Sequence, residues 1–179
     1  MTTTALLIAF AVLVALTLLW ATRRYSQPLP DLLALEGYTR RVDLAAFRNL
    51  IDPAEEGYLR ERLSARQFRA VQRRRMRAAL EYVGRTAHNA AILLRVAGAA
   101  RRDRNPEVAA AARELENDAL LLIVNARLAT LVLYARILMP GKRISLTRVT
   151  NGYENLTQDL VRLARLQDPA YATRIAGSI

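Results

Sequence analysis

An all-α fold, in which an N-terminal single transmembrane helix is followed by an antiparallel three-helix, coiled-coil-like bundle, is what three observations in the sequence predict. The first 22 residues carry no charge. Three later segments place apolar residues at alternating spacings of three and four, which keeps one apolar seam on a helix. No stretch shows the strict apolar–polar alternation of a half-buried strand.

The transmembrane expectation rests on residues 5–21, ALLIAFAVLVALTLLWA, in which Thr17 is the only polar side chain. Residues 1–22 would span roughly 33 Å as a helix, about the thickness of a hydrocarbon core. Trp20 stands near the end of the run, at the level where aromatic rings favour the membrane interface. No basic residue precedes the run, and Leu19 spoils the small-x-small pattern ending at Ala21, so an uncleaved anchor is expected rather than a signal peptide. Arg23, Arg24, Arg40 and Arg41 all follow the run, and the positive-inside rule then puts residues 23–179 in the cytoplasm.

The segment 23–63 reads as a linker with short helices. SQPLP at 26–30 is extended, and a short helical segment runs from Asp31 to Gly37. Asp43 caps a second short helix through Ile51, with Leu44, Phe47 and Leu50 on one face. Asp52-Pro53-Ala54-Glu55 starts another: an Asp cap, Pro at the first helical position, and Glu three residues after the cap. Ser64 with Gln67 forms a further capping box, which either opens a new helix or lies inside a continuous one.

The bundle is expected over 64–179. Residues 65–100 hold no Pro, enough for roughly 54 Å of helix. Met76, Leu80, Val83, Ala87, Ala90, Leu94 and Ala97 form its seam. Asn105-Pro106 starts the next helix, which Pro140-Gly141 stops, with Leu115, Ala119, Leu122, Ala126, Ala129 and Leu133 as seam. The third runs from about Leu146 to Gln167 and carries Leu146, Val149, Tyr153, Leu156, Leu160 and Leu163. Two long helices with a short connection fold back as a hairpin turning at 101–105, and the third returns alongside. Residues 119–139 are apolar enough to suggest a second span. Arg127 near their middle, and the reversed charge asymmetry a second crossing would create, favour a helix buried by two neighbours, with Arg127 and Arg136 snorkelling or paired.

Composition restricts the chemistry. The chain has 179 residues, no Cys and one His, His88, which removes disulfides, catalytic thiols, thiolate metal sites and any site that needs two imidazoles. There is no P-loop and no nucleophile elbow, and the Glu-x-x-His motifs of bundle di-metal centres are missing. Glu107, Glu114, Glu116 and Asp118 read as charges near a helix N-terminus. His88 reads as structural or solvated. No enzymatic activity, cofactor or metal is expected.

The basic balance is the unusual feature. The net charge is +11, and of 27 basic residues only Lys142 is not Arg, a ratio typical of a GC-rich bacterial genome. Residues 60–77 hold eight Arg and one acid, Glu61. Were the helix continuous through Ser64, Arg62, Arg66, Arg69, Arg73 and Arg77 would fall within about 80° of one another. The hairpin would bring Lys142, Arg143 and Arg148 to the same end, opposite a stretch without acids. Such a face is often merely solvated. The functional reading is a membrane-anchored, non-enzymatic scaffold or adaptor at a bacterial inner membrane, with Arg62, Arg66, Arg69, Arg73, Arg77, Lys142 and Arg143 binding anionic phospholipid headgroups or an acidic partner, a homo-oligomer included. The alternative is a membrane-tethered, non-specific nucleic-acid-binding protein; only Phe68 supplies an aromatic within the stripe.

Overall fold

The computed structural model describes residues 38–138 and 147–167. Among them are five α-helices and no strand: α1 (Leu44–Ile51), α2 (Pro53–Arg62), α3 (Ala65–Ala100), α4 (Pro106–Leu138) and α5 (Thr147–Gln167). The expected anchor at 1–22, the segment 31–37, and Leu146, Lys142 and Arg143 lie outside the described residues.

The helix boundaries follow the capping chemistry. The Asp43 carboxylate accepts from the Ala46 amide at 2.9 Å and opens α1. The Asp52 carboxylate accepts from the Ala54 amide at 2.9 Å, with Pro53 at the first helical position of α2. The capping box at Ser64 opens a new helix: the Gln67 amide donates back to Ser64 Oγ, and the Ser64 amide donates to Gln67 Oε1 at 3.2 Å. Both bonds satisfy amides that have no partner inside the helix. The chain therefore breaks at Leu63, and Arg62 ends α2 instead of continuing the face of α3. Between α3 and α4 the amides of Arg101 and Asp103 close tight turns onto Ala97 and Ala100, and the Asn105 side chain accepts from the Glu107 amide at 3.0 Å.

The seams read from the sequence lie in the core. Leu115, Ala119, Leu122, Ala126, Ala129 and Leu133 of α4 are all buried, as are Val149, Tyr153, Leu156, Leu160 and Leu163 of α5. On α3, Met76, Val83, Ala90, Leu94 and Ala97 are buried, while Leu80 and Ala87 are half-buried at the rim. Alanines on α3 and α4 allow close axial approach, and removing water from these seams is the main source of stability. At Gly152 of α5 an added Cβ would lie 3.4 Å from Leu122 Cδ1, which shows how near α5 comes to α4.

Polar partners fix which ends meet. Arg101 of α3 pairs with Glu116 of α4 at 3.2 Å, while Gln72 of α3 and Arg136 of α4 both reach Glu56. Arg162 of α5 pairs with Glu114 of α4 at 2.5 Å. The short helices belong to the same core: Phe47 of α1 is fully buried, stacks on Tyr82 with ring centroids 5.5 Å apart, and packs with Val42 against α3.

Candidate anion-binding face

Arg66, Arg69, Arg73 and Arg77 are exposed on α3, and among the described residues no carboxylate pairs with any of them. Measured around the axis at about 100° per residue, they cluster within roughly 80°. The buried row Met76, Val83, Ala90 and Ala97 lies about 90° to one side of them. Repulsion between guanidinium groups one turn apart works against this arrangement, and it is not relieved by any change of pH in the physiological range because Arg stays charged.

Arg62 does not join that row. It sits on α2, with its guanidinium 5.0 Å from the ring centroid of Tyr58. Arg60 lies 5.0 Å from the ring centroid of Phe68 and pairs with Glu56 at 3.3 Å. Phe68 is buried, so it packs rather than offering a stacking surface for a base. Arg75 leaves the row in the other direction, donating to the Asn49 carbonyl of α1 at 2.9 Å. Arg148 is exposed on the first turn of α5.

Glu56 is the residue that sequence reasoning overlooked. Its Oε2 accepts from Gln72 at 3.0 Å and from Arg136, and its Oε1 accepts from Arg60. Arg136 is the one buried Arg among the described residues, and this carboxylate compensates its charge. The acid comes from α2, not from the antiparallel stretch of α3, so inspecting the hairpin alone leaves Arg136 without a partner.

A second polar node ties the chain before α1 to α3 and α5. Asn89 accepts from the Arg40 amide at 2.9 Å, and its Nδ2 donates to the Arg40 carbonyl at 2.7 Å and to the Tyr153 hydroxyl at 2.8 Å. Burial pushes the Tyr153 phenol above its ordinary value, opposed by the hydrogen bond from Asn89. His88 Nε2 donates to the Tyr38 carbonyl at 3.0 Å, a structural tie, because a carbonyl can only accept.

At the turn end, Glu114 and Asp118 of α4 approach Asp159 of α5. Desolvation first, then the charge and hydrogen bonding of Asp118 and the charge of Glu114, raise the Asp159 carboxyl, with Arg162 opposing. Among the described residues no group of His, Asp or Glu has the arrangement to hold a metal ion. A shallow cavity on α5 is lined by Thr157, Gln158, Val161, Arg162, Arg165 and Leu166, with no carboxylate or imidazole among them.

One described helix, α4, is long and apolar enough to cross a membrane by length and composition alone. Only 33% of its most apolar stretch is buried, so much of that apolar surface faces outward. No protein-family model matches the chain, and no curated protein or solved structure matches it either.

Proposed function

We propose that this chain is a non-enzymatic scaffold or adaptor anchored by residues 1–22 in a bacterial inner membrane, with a cytoplasmic antiparallel three-helix, coiled-coil-like bundle whose basic end binds anionic phospholipid headgroups. The observation that carries the reading is the row Arg66, Arg69, Arg73 and Arg77, exposed together and without carboxylate partners among the described residues. The uncharged N-terminal run adds the tether: residues 23–64 are all that separate it from α3. A short tether raises the effective concentration of headgroups at the row, and each Arg close to an anionic surface contributes about 1 kcal/mol. Phosphodiester oxygens suit the planar guanidinium fork.

The buried seams and the paired Arg136 favour α4 as a bundle helix over α4 as a second span, since crossing would part Arg136 from Glu56 and carry Arg127 and Arg136 into the membrane. In the full-length chain, a C-terminal alkaline phosphatase fusion should be inactive and a fluorescent-protein fusion bright. Titrating the detergent-solubilised chain with short-chain phosphatidylglycerol should show saturable, salt-sensitive binding that phosphatidylcholine does not reproduce. Replacing Arg66, Arg69, Arg73 and Arg77 with Glu should abolish it while helicity is retained. Equal binding of both lipids defeats the reading. A salt-sensitive mobility shift with non-specific duplex DNA in the absence of lipid preference would instead establish the nucleic-acid alternative.

A further inference from the structure

The outward side of α4 carries a second apolar row that the described helices leave largely open. Leu121, Val124, Leu128, Leu131, Ala135 and Leu138 follow one another at spacings of three and four, as the buried seam does, but on the opposite side of the helix. Leu121, Leu131 and Leu138, with Tyr134 beside them, are 50–76% exposed. A row of this kind at core-like spacing is not the scattered surface leucine that any protein shows.

Its position relative to the arginines follows from the contacts. On α3, the flank tied to the rest of the molecule is marked by Arg75 on the Asn49 carbonyl, Arg85 on the Arg41 carbonyl and Asn89 on Tyr153 of α5. Going round the α3 axis, that flank is followed by the buried row, and Arg66, Arg69, Arg73 and Arg77 come on the far flank, about 90° beyond the buried row. On α4, the flank that meets α5 carries Glu114, Asp118 and Leu122, and the flank that meets α3 carries Glu116. Leu131, Tyr134 and Leu138 lie toward the α3 flank, away from α5. Both rows therefore belong to the face of the α3–α4 pair turned away from α5. They also share one end, because Gln72 and Arg136 bind the same Glu56.

We infer that this combined face, with the Arg row on α3 and Leu131, Tyr134 and Leu138 on α4, seats on the anionic membrane leaflet, the leucines entering the boundary between headgroups and acyl chains while the guanidinium groups hold phosphates beside them. The inference deepens the proposed function and rests on it. It commits to a lipid surface because the basic-end part of the apolar row, Leu128 to Leu138, is bordered by positive charge rather than by the mixed charges that set register between helices. Residues 65–80 and 119–138 contain no acid that would meet the arginines of a second copy. An apolar stripe flanked by Arg, with an aromatic residue at its edge, is the composition of helices that lie in a membrane interface. The uncharged N-terminal run supplies the surface at short range.

The absence of Cys allows single labels to be introduced without other changes. Full-length Leu131→Cys and Leu138→Cys chains, each carrying an environment-sensitive nitrobenzoxadiazole label, are reconstituted in vesicles of phosphatidylcholine alone and of phosphatidylcholine with phosphatidylglycerol. Gly98→Cys, exposed toward the turn end of α3, is the control. With phosphatidylglycerol present, labels at 131 and 138 should shift to shorter wavelength and be quenched by brominated acyl chains, whereas the label at 98 should not. Replacing the four arginines with Glu should remove the quenching. Unquenched labels in a chain that still prefers short-chain phosphatidylglycerol overturn the seating and leave the proposed function standing. Loss of that lipid preference itself overturns the proposed function. Equal quenching in phosphatidylcholine alone defeats the joint role of the two rows. Emission that tracks the protein-to-lipid ratio and is lost on dilution assigns the row to a second copy, and overturns the inference too.

Discussion

The two ends of the α3–α4 pair handle charge in opposite ways. At the turn, acids and arginines meet: Arg101 with Glu116, and Arg162 with Glu114. At the other end one acid, Glu56, serves Arg60, Arg136 and Gln72, and the exposed row Arg66–Arg77 has no carboxylate among the described residues. At the turn end Arg101 and Arg162 are each compensated by an acid of α4. The basic end is compensated internally at Arg136 and Arg60, both through Glu56, and no described carboxylate meets its exposed Arg row. That asymmetry separates ion pairs that hold the fold from an exposed charged row that no described carboxylate meets.

The largest effect should come from Glu56. Glu56→Ala leaves Arg136 buried and uncompensated and removes the acceptor of Gln72, whose Oε1 already has no partner. Removing one member of a buried pair costs about 3–5 kcal/mol. Chemical denaturation should show that loss, and the double variant Glu56→Ala with Arg136→Met should recover most of it. Failure of the second substitution to recover stability would mean that Glu56 acts through α2 packing rather than through the ion pair.

Next is the contrast between the two rows of α4. Leu122→Ala opens a void beneath Gly152 and should cost about 2–5 kcal/mol. Leu131→Ala, on the outward row, should change stability by about 0.5 kcal/mol or less. Equal losses would show that the outward row is packed and not available to a membrane.

These positions also show how much the sequence revealed. The buried seams were legible because heptad spacing reports burial directly: all six α4 positions chosen from the pattern are buried. Caps at Asp43, Asp52 and Asn105 were legible because each needs only local residues. The break at Ser64 was half legible, since a capping box states where a helix can start and not whether the preceding helix has stopped. Glu56 and Asn89 were not legible. Their partners, Arg136 80 residues away and Arg40 49 residues away, are set by how α2 and the chain before α1 lie on the hairpin, and no spacing rule encodes that. The outward row on α4 was present in the sequence at the same spacing as the buried one. Treating the apolar stretch as a helix buried by two neighbours hid it, because two neighbours cover only part of a helix surface.

Asn89→Ala should rank third. It removes two hydrogen bonds to the Arg40 backbone and leaves the buried Tyr153 hydroxyl without this donor. Unmet buried polar groups cost about 1–3 kcal/mol. Because the lost bonds tie the chain before α1 to α3, amide exchange should accelerate around residues 40–43 more than in α4. Uniform acceleration would mean that Asn89 supports the whole core instead.

The smallest effect distinguishes the ends most sharply, because carboxylates titrate and arginines do not. Asp159 is raised by burial, by Asp118 and by Glu114, against the pull of Arg162. A carboxyl raised in the folded state binds its proton more tightly there than in the unfolded chain. Its protonated form therefore favours folding, and that contribution is complete below the ordinary carboxylate value and lost as pH rises through the folded-state value. At neutral pH the ionised Asp159 is a net burden, and Asp159→Asn should stabilise the protein there. Much of the group is open to solvent, so screening limits the gain to about 0.5 kcal/mol or less. Denaturation midpoints measured from neutral to acid pH should show the advantage of the variant shrinking as the wild-type carboxyl takes up its proton. An advantage that stays constant with pH would point to helix propensity or packing in place of charge. The Arg row offers no such relief by acid, since its guanidinium groups remain charged throughout. Adding salt should instead stabilise that end by screening, and an Arg→Gln quadruple variant should lose this salt response while keeping the pH response of Asp159.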